Sequence, residues 1–181
     1  MLAAFLLGYF LGSFPVAYWF GALRGKNLLE EGSGNPGALN AYRLLGPVPG
    51  LLVLLLDVFK GALAVAAGEA ALGGDPLGGL AGGAGAAWGH AFSPWLLFRG
   101  GKALAPASGA LLAVDPRLLL AALVLFAFLA LLFRRPYRAA LAVALALPLL
   151  AAAVDRTPFH LLFGLGVGLP VALRHLKDWD R

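Results

Sequence analysis

The sequence predicts an all-α integral membrane protein of about seven transmembrane helices, N-terminus outside and C-terminus cytoplasmic, on three observations. First, 61% of the 181 residues are hydrophobic and 13% charged, with mean hydropathy +0.85, where a soluble domain averages about 45–50% apolar and 25% charged. Second, the apolar residues form long runs broken by Pro, Gly and charge, and a spanning helix needs about 20 of them. Third, the basic residues gather in alternate connections. The spans leave little chain over, so residues 1–181 are expected to form one membrane domain. The formal charge of +5 and pI of about 10.0 point to topology and anionic partners, including membrane lipids, rather than to nucleic acid. The absence of Cys excludes disulfides, thiol catalysis and cysteine metal sites.

In order, residues 1–23 are expected to form span one, kinked at Pro15 because proline lacks the N–H of a helix interior. The run has no basic leader and no Ala-x-Ala cleavage site, so it reads as a retained span. A polar segment, 24–43, follows. Gly46 to Gly68 reads as span two, with Asp57 and Lys60 on one helical face. Such a pair either locks helices or meets substrate. Residues 77–92 repeat glycine at small-xxx-small spacing (Gly78/Gly82, Gly79/Gly83, Gly85/Gly89), the pattern of a central helix between close neighbours. Ala103–Val114 makes a short span four, Asp115-Pro116 a turn, and Leu118–Phe133, Ala139–Val154 and Phe159–Leu173 the last three spans.

With seven spans, one face carries Arg24, Lys26, Arg43, Arg99, Lys102, Arg134, Arg135, Arg138, Arg174, Lys177 and Arg181, and the other only Arg117 and Arg156. That asymmetry places the first face in the cytoplasm. The outer loops hold Glu69, Asp75, Asp115 and Asp155 and no expected site.

Two glycine-hinged inserts share the basic face. Residues 89–102 bring His90, Arg99 and Lys102 beside Gly100-Gly101, with no acid nearby. Cations next to glycines can offer charge and backbone N–H groups to one anion. Gly32-Ser-Gly-Asn-Pro-Gly-Ala-Leu-Asn-Ala-Tyr-Arg43 is the second insert, and together they read as one phosphate site. Ser33, Asn35 and Asn40 also suit turns and helix caps, and His90 an interfacial histidine. Lipid-headgroup snorkelling is the plainer role for Arg134 and Arg135. Gly32 to Gly37 fits G-x-G-x-x-G, but a dinucleotide site needs a strand and a βαβ unit. His175 and Asp180 have the H-x-x-x-x-D spacing of another acyltransferase class, without a domain behind them.

At these residues the chain resembles the bacterial acyl-phosphate:glycerol-3-phosphate acyltransferases, a family of small seven-span inner-membrane enzymes. Gly32 to Arg43 matches the family's first motif except that Leu39 replaces threonine. Asp57 to Gly61 matches its Asp-x-x-Lys-Gly element. Gly89 to Pro106 matches the second motif through His90, Phe92, Phe98, Gly100, Gly101 and Lys102, with Ser93 for proline, Arg99 for lysine, Ala103 for glycine and Pro106 for threonine. Ala139 or Ala140 stands near a family serine. The third motif is shortened to Arg174-His175-Leu-Lys-Asp178-Trp-Asp-Arg181, with Asp178 in place of asparagine and no closing glutamate.

The resemblance implies attack of the glycerol-3-phosphate 1-hydroxyl on an acyl phosphate, giving lysophosphatidic acid and phosphate, the first step of phospholipid synthesis, without cofactor or metal. It implies a monomer in the bacterial inner membrane, its active site facing the cytoplasm. Ser33, Arg43 and Lys102 would bind glycerol-3-phosphate, with Asn35, Asn40 and Arg99 beside them. Backbone N–H groups of Gly34, Gly100 and Gly101 would take the acyl phosphate. His90 and His175 are the candidates for orienting or relaying the proton, Lys102 for the developing charge, and the donor phosphate is itself a possible base. A groove among apolar spans would hold the acyl chain. The rival readings are a diverged member of weak or no activity, and a small anion or lipid-phosphate transporter. Against the transporter, polar groups collect on one face and no inverted repeat of broken spans is visible.

Overall fold

A computed structural model describes residues 1–178; Trp179, Asp180 and Arg181 lie outside the described residues, and with them the histidine–aspartate spacing and the last basic residue of the tail. The described chain is helical: α1 (Leu2–Ser13), α2 (Val16–Ala22), α3 (Ala38–Leu45), α4 (Pro47–Ala71), α5 (Pro76–Ala91), α6 (Leu104–Val114), α7 (Pro116–Phe133), α8 (Pro136–Val154) and α9 (Pro158–His175), with short 3-10 turns at Pro94–Leu96 and Leu176–Asp178. Among the described residues, five stretches are long and apolar enough to cross a membrane: Leu2–Ala22, Pro47–Ala71, Pro116–Phe133, Pro136–Val154 and Pro158–Asp178. α5 and α6 are shorter, at 16 and 11 residues.

Helix starts follow local chemistry. α4, α5, α7, α8 and α9 each begin on or next to proline, whose missing N–H has no partner in a first turn anyway. Asp75 and Asp115 cap α5 and α7 by accepting from Leu77 N–H at 2.9 Å and Arg117 N–H at 2.8 Å, satisfying donors that the helix cannot. The Arg117 guanidinium, bonded to the Asp115 carboxylate, holds that carboxyl below its ordinary range.

α5 is the central helix, packed by α1, α4, α6 and α9. Its small residues let backbones touch: a Cβ on Gly8 or Gly12 of α1 would overlap the backbone of Gly82 or Ala86 of α5. In lipid, where no hydrophobic force drives helices together, such close approach is the main source of association.

Span one differs from the expected kinked helix. It is two helices, with Phe14 extended and Pro15 non-helical between them. The break frees carbonyls that lipid cannot satisfy, and buried side chains take them up. Ser93 Oγ donates to Ser13 O at 2.6 Å and Lys60 Nζ to Phe14 O at 2.9 Å. Trp95 Nε1 donates to Ser13 Oγ at 3.0 Å. Lys60 is held in turn by Asp57 Oδ1 at 2.7 Å and lies 3.0 Å from His90 Nδ1. The intramembrane ion pair therefore ties α4 and α5 to the end of α1 at the proline break. The polar segment 24–43 also differs, because from Ala38 it is part of α3, which packs on α4.

Candidate functional site

The two inserts and the end of α9 close around one cavity of about 590 Å³. Ser33, Gly34, Asn35, Asn40 and Arg43 line it from the first insert, His90 and Lys102 from the second, Asp57 from α4, Tyr137 from α8, and Arg174, His175 and Asp178 from the chain's end. Residues as far apart in sequence as Ser33 and Asp178, 145 positions, thus line one cavity.

The first insert is tied by Asn40, which is 1% exposed. Its Oδ1 accepts from Ser33 N–H at 3.0 Å, and its Nδ2 donates to Leu28 O at 3.2 Å and Glu31 O at 3.1 Å. An amide so occupied shapes the loop rather than waits for a ligand, so its expected binding role becomes a supporting one. Glu31 accepts from Asn27 N–H at 2.8 Å and pairs with Lys26 at 3.2 Å, which together hold its carboxyl below the ordinary range. Gly37 then starts α3 with no side-chain cap, and Gly37, Ala38 and Leu39 line the cavity. The first-turn N–H groups of a helix lack partners and carry the positive end of its dipole. Arg43, one turn on, is exposed and lines the same cavity.

The second insert departs from expectation. Gly101 N–H donates to His90 O at 2.9 Å, and Gly34 N–H to Glu31 O at 3.1 Å. Those two donors are engaged inside the protein. Gly100 and Gly101 are buried and do not line the cavity. A Cβ at Gly100 would overlap His90 O, and one at Gly101 the His90 ring. The glycines are needed for closeness to His90. Arg174 clamps the hinge from α9, Nε donating to Gly101 O at 3.1 Å and Nη2 to Gly100 O. This fixes Lys102, whose Nζ reaches Asp178 Oδ2 at 2.5 Å and lies 3.7 Å from the centre of the Tyr137 ring. Arg99 is exposed and outside the cavity lining, as its position beyond the clamped hinge requires.

His175 is 1% exposed. Its Nδ1 lies 2.8 Å from Val171 O, so Nδ1 carries the proton and Nε2 is left as an acceptor. Among the described residues that buried Nε2 has no partner. His90 is arranged the other way, its Nδ1 accepting from the Lys60 ammonium. Spacing alone does not mark Tyr137, Arg174 or Asp178 as parts of this site, although Arg174 and Asp178 belong to the shortened third motif.

The cavity joins uncapped helix N–H groups, the four cations Arg43, Lys102, Arg174 and Lys177, and a buried imidazole acceptor beside apolar side chains, an arrangement for holding anions that carry an apolar group. The comparisons agree. A model of the family "Glycerol-3-phosphate acyltransferase" matches residues 2–181. A glycerol-3-phosphate acyltransferase of Synechococcus sp. (strain JA-3-3Ab) is 41% identical over 181 residues, covering 99% of this chain and 88% of the relative. The crystal structure of PlsY, an integral membrane glycerol 3-phosphate acyltransferase, in its glycerol 3-phosphate form superposes with TM-score 0.86 at 28% identity, covering 99% of this chain and 90% of that one. Its lysophosphatidic acid form gives 0.84 at 27% identity over the same shares. The chain belongs to the glycerol-3-phosphate acyltransferase family.

Proposed function

We propose that this protein is a membrane acyltransferase that moves a fatty acyl group from acyl phosphate to the 1-hydroxyl of glycerol-3-phosphate, at the entry to phospholipid synthesis. The observation that carries the reading is the single cavity shared by Ser33, Arg43, Lys102 and His175, in a chain whose relatives are named for this activity. Lys102, Arg43 and Ser33 hold the glycerol-3-phosphate. The N–H groups of the first turn of α3, rather than those of Gly34 and Gly101, face the second phosphate. The hydroxyl oxygen bonds to the acyl carbon, the bond from that carbon to the phosphate oxygen breaks, and inorganic phosphate leaves. His175 Nε2 or the donor phosphate takes the hydroxyl proton. Most of the acceleration comes from placing two anions together and stabilising the charge that develops on the leaving phosphate.

Seven crossings support this placement, α1 with α2 counting as one. The 16 residues of α5 rise about 24 Å and the 11 of α6 about 16 Å, so α6 is counted as a short crossing between the loop 93–103 and the turn at Asp115-Pro116. The basic asymmetry puts the cavity at the cytoplasmic face of the inner membrane, and the chain acts as a single membrane domain and a monomer. Purified protein given acyl phosphate and labelled glycerol-3-phosphate should release phosphate and form lysophosphatidic acid in equal amounts. No labelled lipid, with a folded sample, would refute the reading and leave the diverged-member alternative suggested by Asp178 beside Lys102.

A further inference from the structure

We propose that Leu111, Leu119 and Leu147 form the stop of an acyl groove and set how many carbons of the donor are enclosed; this rests on the acyltransferase reading above. A second, mainly apolar cavity opens from the polar one, and Leu104, Phe126 and Ala140 line both. An acyl chain whose carbonyl is at the polar site therefore has one continuous way on. Beyond that mouth the groove is made narrow-walled by small residues, Ala107 and Ser108 on α6, Ala122 on α7 and Ala144 on α8. On each of the three helices the lining positions fall at i, i+3, i+4 and i+7 (104 to 111, 119 to 126, 140 to 147), so one face of each runs along the groove for two turns.

At the far end all three helices present leucine. Leu111 and Leu147 are 4% exposed, and Leu119 packs against the same core. The turn at Asp115-Pro116 joins α6 to α7 just beyond them, and α9 forms the floor through Gly168 and Val171. Gly168 has no room for a Cβ against Ala144 O, so α9 packs backbone-close on α8 at the floor. From mouth to stop is seven residues of helix, about 10 Å, the length of about eight methylenes in an extended chain. A longer chain has to leave sideways past Leu123, which is 51% exposed, into surrounding lipid.

The stop predicts a plateau. For donors taken from water, each enclosed methylene should raise kcat/KM up to about fourfold, and methylenes beyond the stop should add nothing. Lipid is as apolar as leucine, so the measurement uses soluble acyl phosphates of about four to twelve carbons below their aggregation concentration. The wild type should level off near about eight carbons, and Leu147→Ala should move that point two to three carbons further, about the length of the removed side chain. Leu119→Ala, at a less buried position, serves if Leu147→Ala does not fold. Ala144→Leu, which fills the groove, should lose the length dependence. A plateau unchanged in the Leu→Ala variants, with four-carbon transfer intact, overturns the stop while leaving the acyltransferase reading standing. No transfer from any donor by the folded wild type overturns both.

Discussion

Replacing Asp178 by asparagine should make the site a better binder of phosphate. The Asp178 carboxylate lies 2.5 Å from Lys102 Nζ, both side chains being largely buried, and Lys102 lines the cavity. A phosphate oxygen taking the same ammonium would stand about 5 Å from the carboxylate, and at an effective dielectric constant of about 20 two unit charges there repel by about 3 kcal/mol. Side-chain movement and entering water reduce this, so a net gain of about 1.5–3 kcal/mol is expected, one to two decades in kcat/KM. Asparagine retains an oxygen for Lys102, which keeps the ammonium over Tyr137. The assay is acyl transfer at varied glycerol-3-phosphate, for wild type, Asp178→Asn and Asp178→Asn with Lys102→Ala. The gain should come mainly through KM and vanish in the double variant. A fall in kcat/KM on Asp178→Asn would refute the argument and make the carboxylate a working part of the site.

Five further outcomes follow, four from the structure and one from the charge pattern of the sequence. Lys102→Ala and Arg43→Ala should each lower kcat/KM by one to two decades, a loss of about 1.5–3 kcal/mol, while Arg134→Ala, on an exposed turn, leaves it unchanged; steady-state kinetics of the three decide it. Leu39→Thr should gain about 0.5–1.5 kcal/mol over Leu39→Val, since Leu39 lines the cavity at 55% exposure and a hydroxyl there would reach substrate without leaving a hole. Ala103 holds φ +60°, where a Cβ costs about 1–2 kcal/mol, yet its methyl is buried at a gain of about 0.8 kcal/mol; Ala103→Gly should leave thermal stability the same or slightly higher, and a drop in Tm of more than a few degrees would count against the strain. Glu31 has a depressed carboxyl pKa, so its hold on the Asn27 N–H is complete above the ordinary carboxylate range near pH 4 and is lost as pH falls through its lower folded value; amide exchange at Asn27, corrected for intrinsic rate, should quicken only there, and Glu31→Gln should abolish that dependence. For topology, a cysteine at exposed Glu30 should resist an impermeant thiol reagent in intact cells and one at Arg156 should react.

The helices were legible in the sequence because lipid and backbone chemistry act locally. Apolar length, proline at first turns and the aspartates at 75 and 115 mark boundaries within a few residues, as α7 and α8 show. The polar inserts were legible as a site because so few polar residues occur in this chain, and glycine spacing alone made α5 central. What only the tertiary structure decided is which polar groups remain open to a ligand. Gly101 looked like a phosphate donor until His90 O was found taking its N–H. Asn40 looked like a ligand until three backbone groups were found on its amide. Lys60 looked equally suited to substrate until the broken helix at Pro15 set Phe14 O beside it. Hydrogen-bonding capacity is finite and is filled by partners as far apart in the chain as Ser13 and Ser93, so a residue's type announces what it can bind while long-range packing determines what it has already bound. The opposition of Asp178 to Lys102, from segments 76 residues apart, and the three leucines that end the groove on three separate helices are of the same kind.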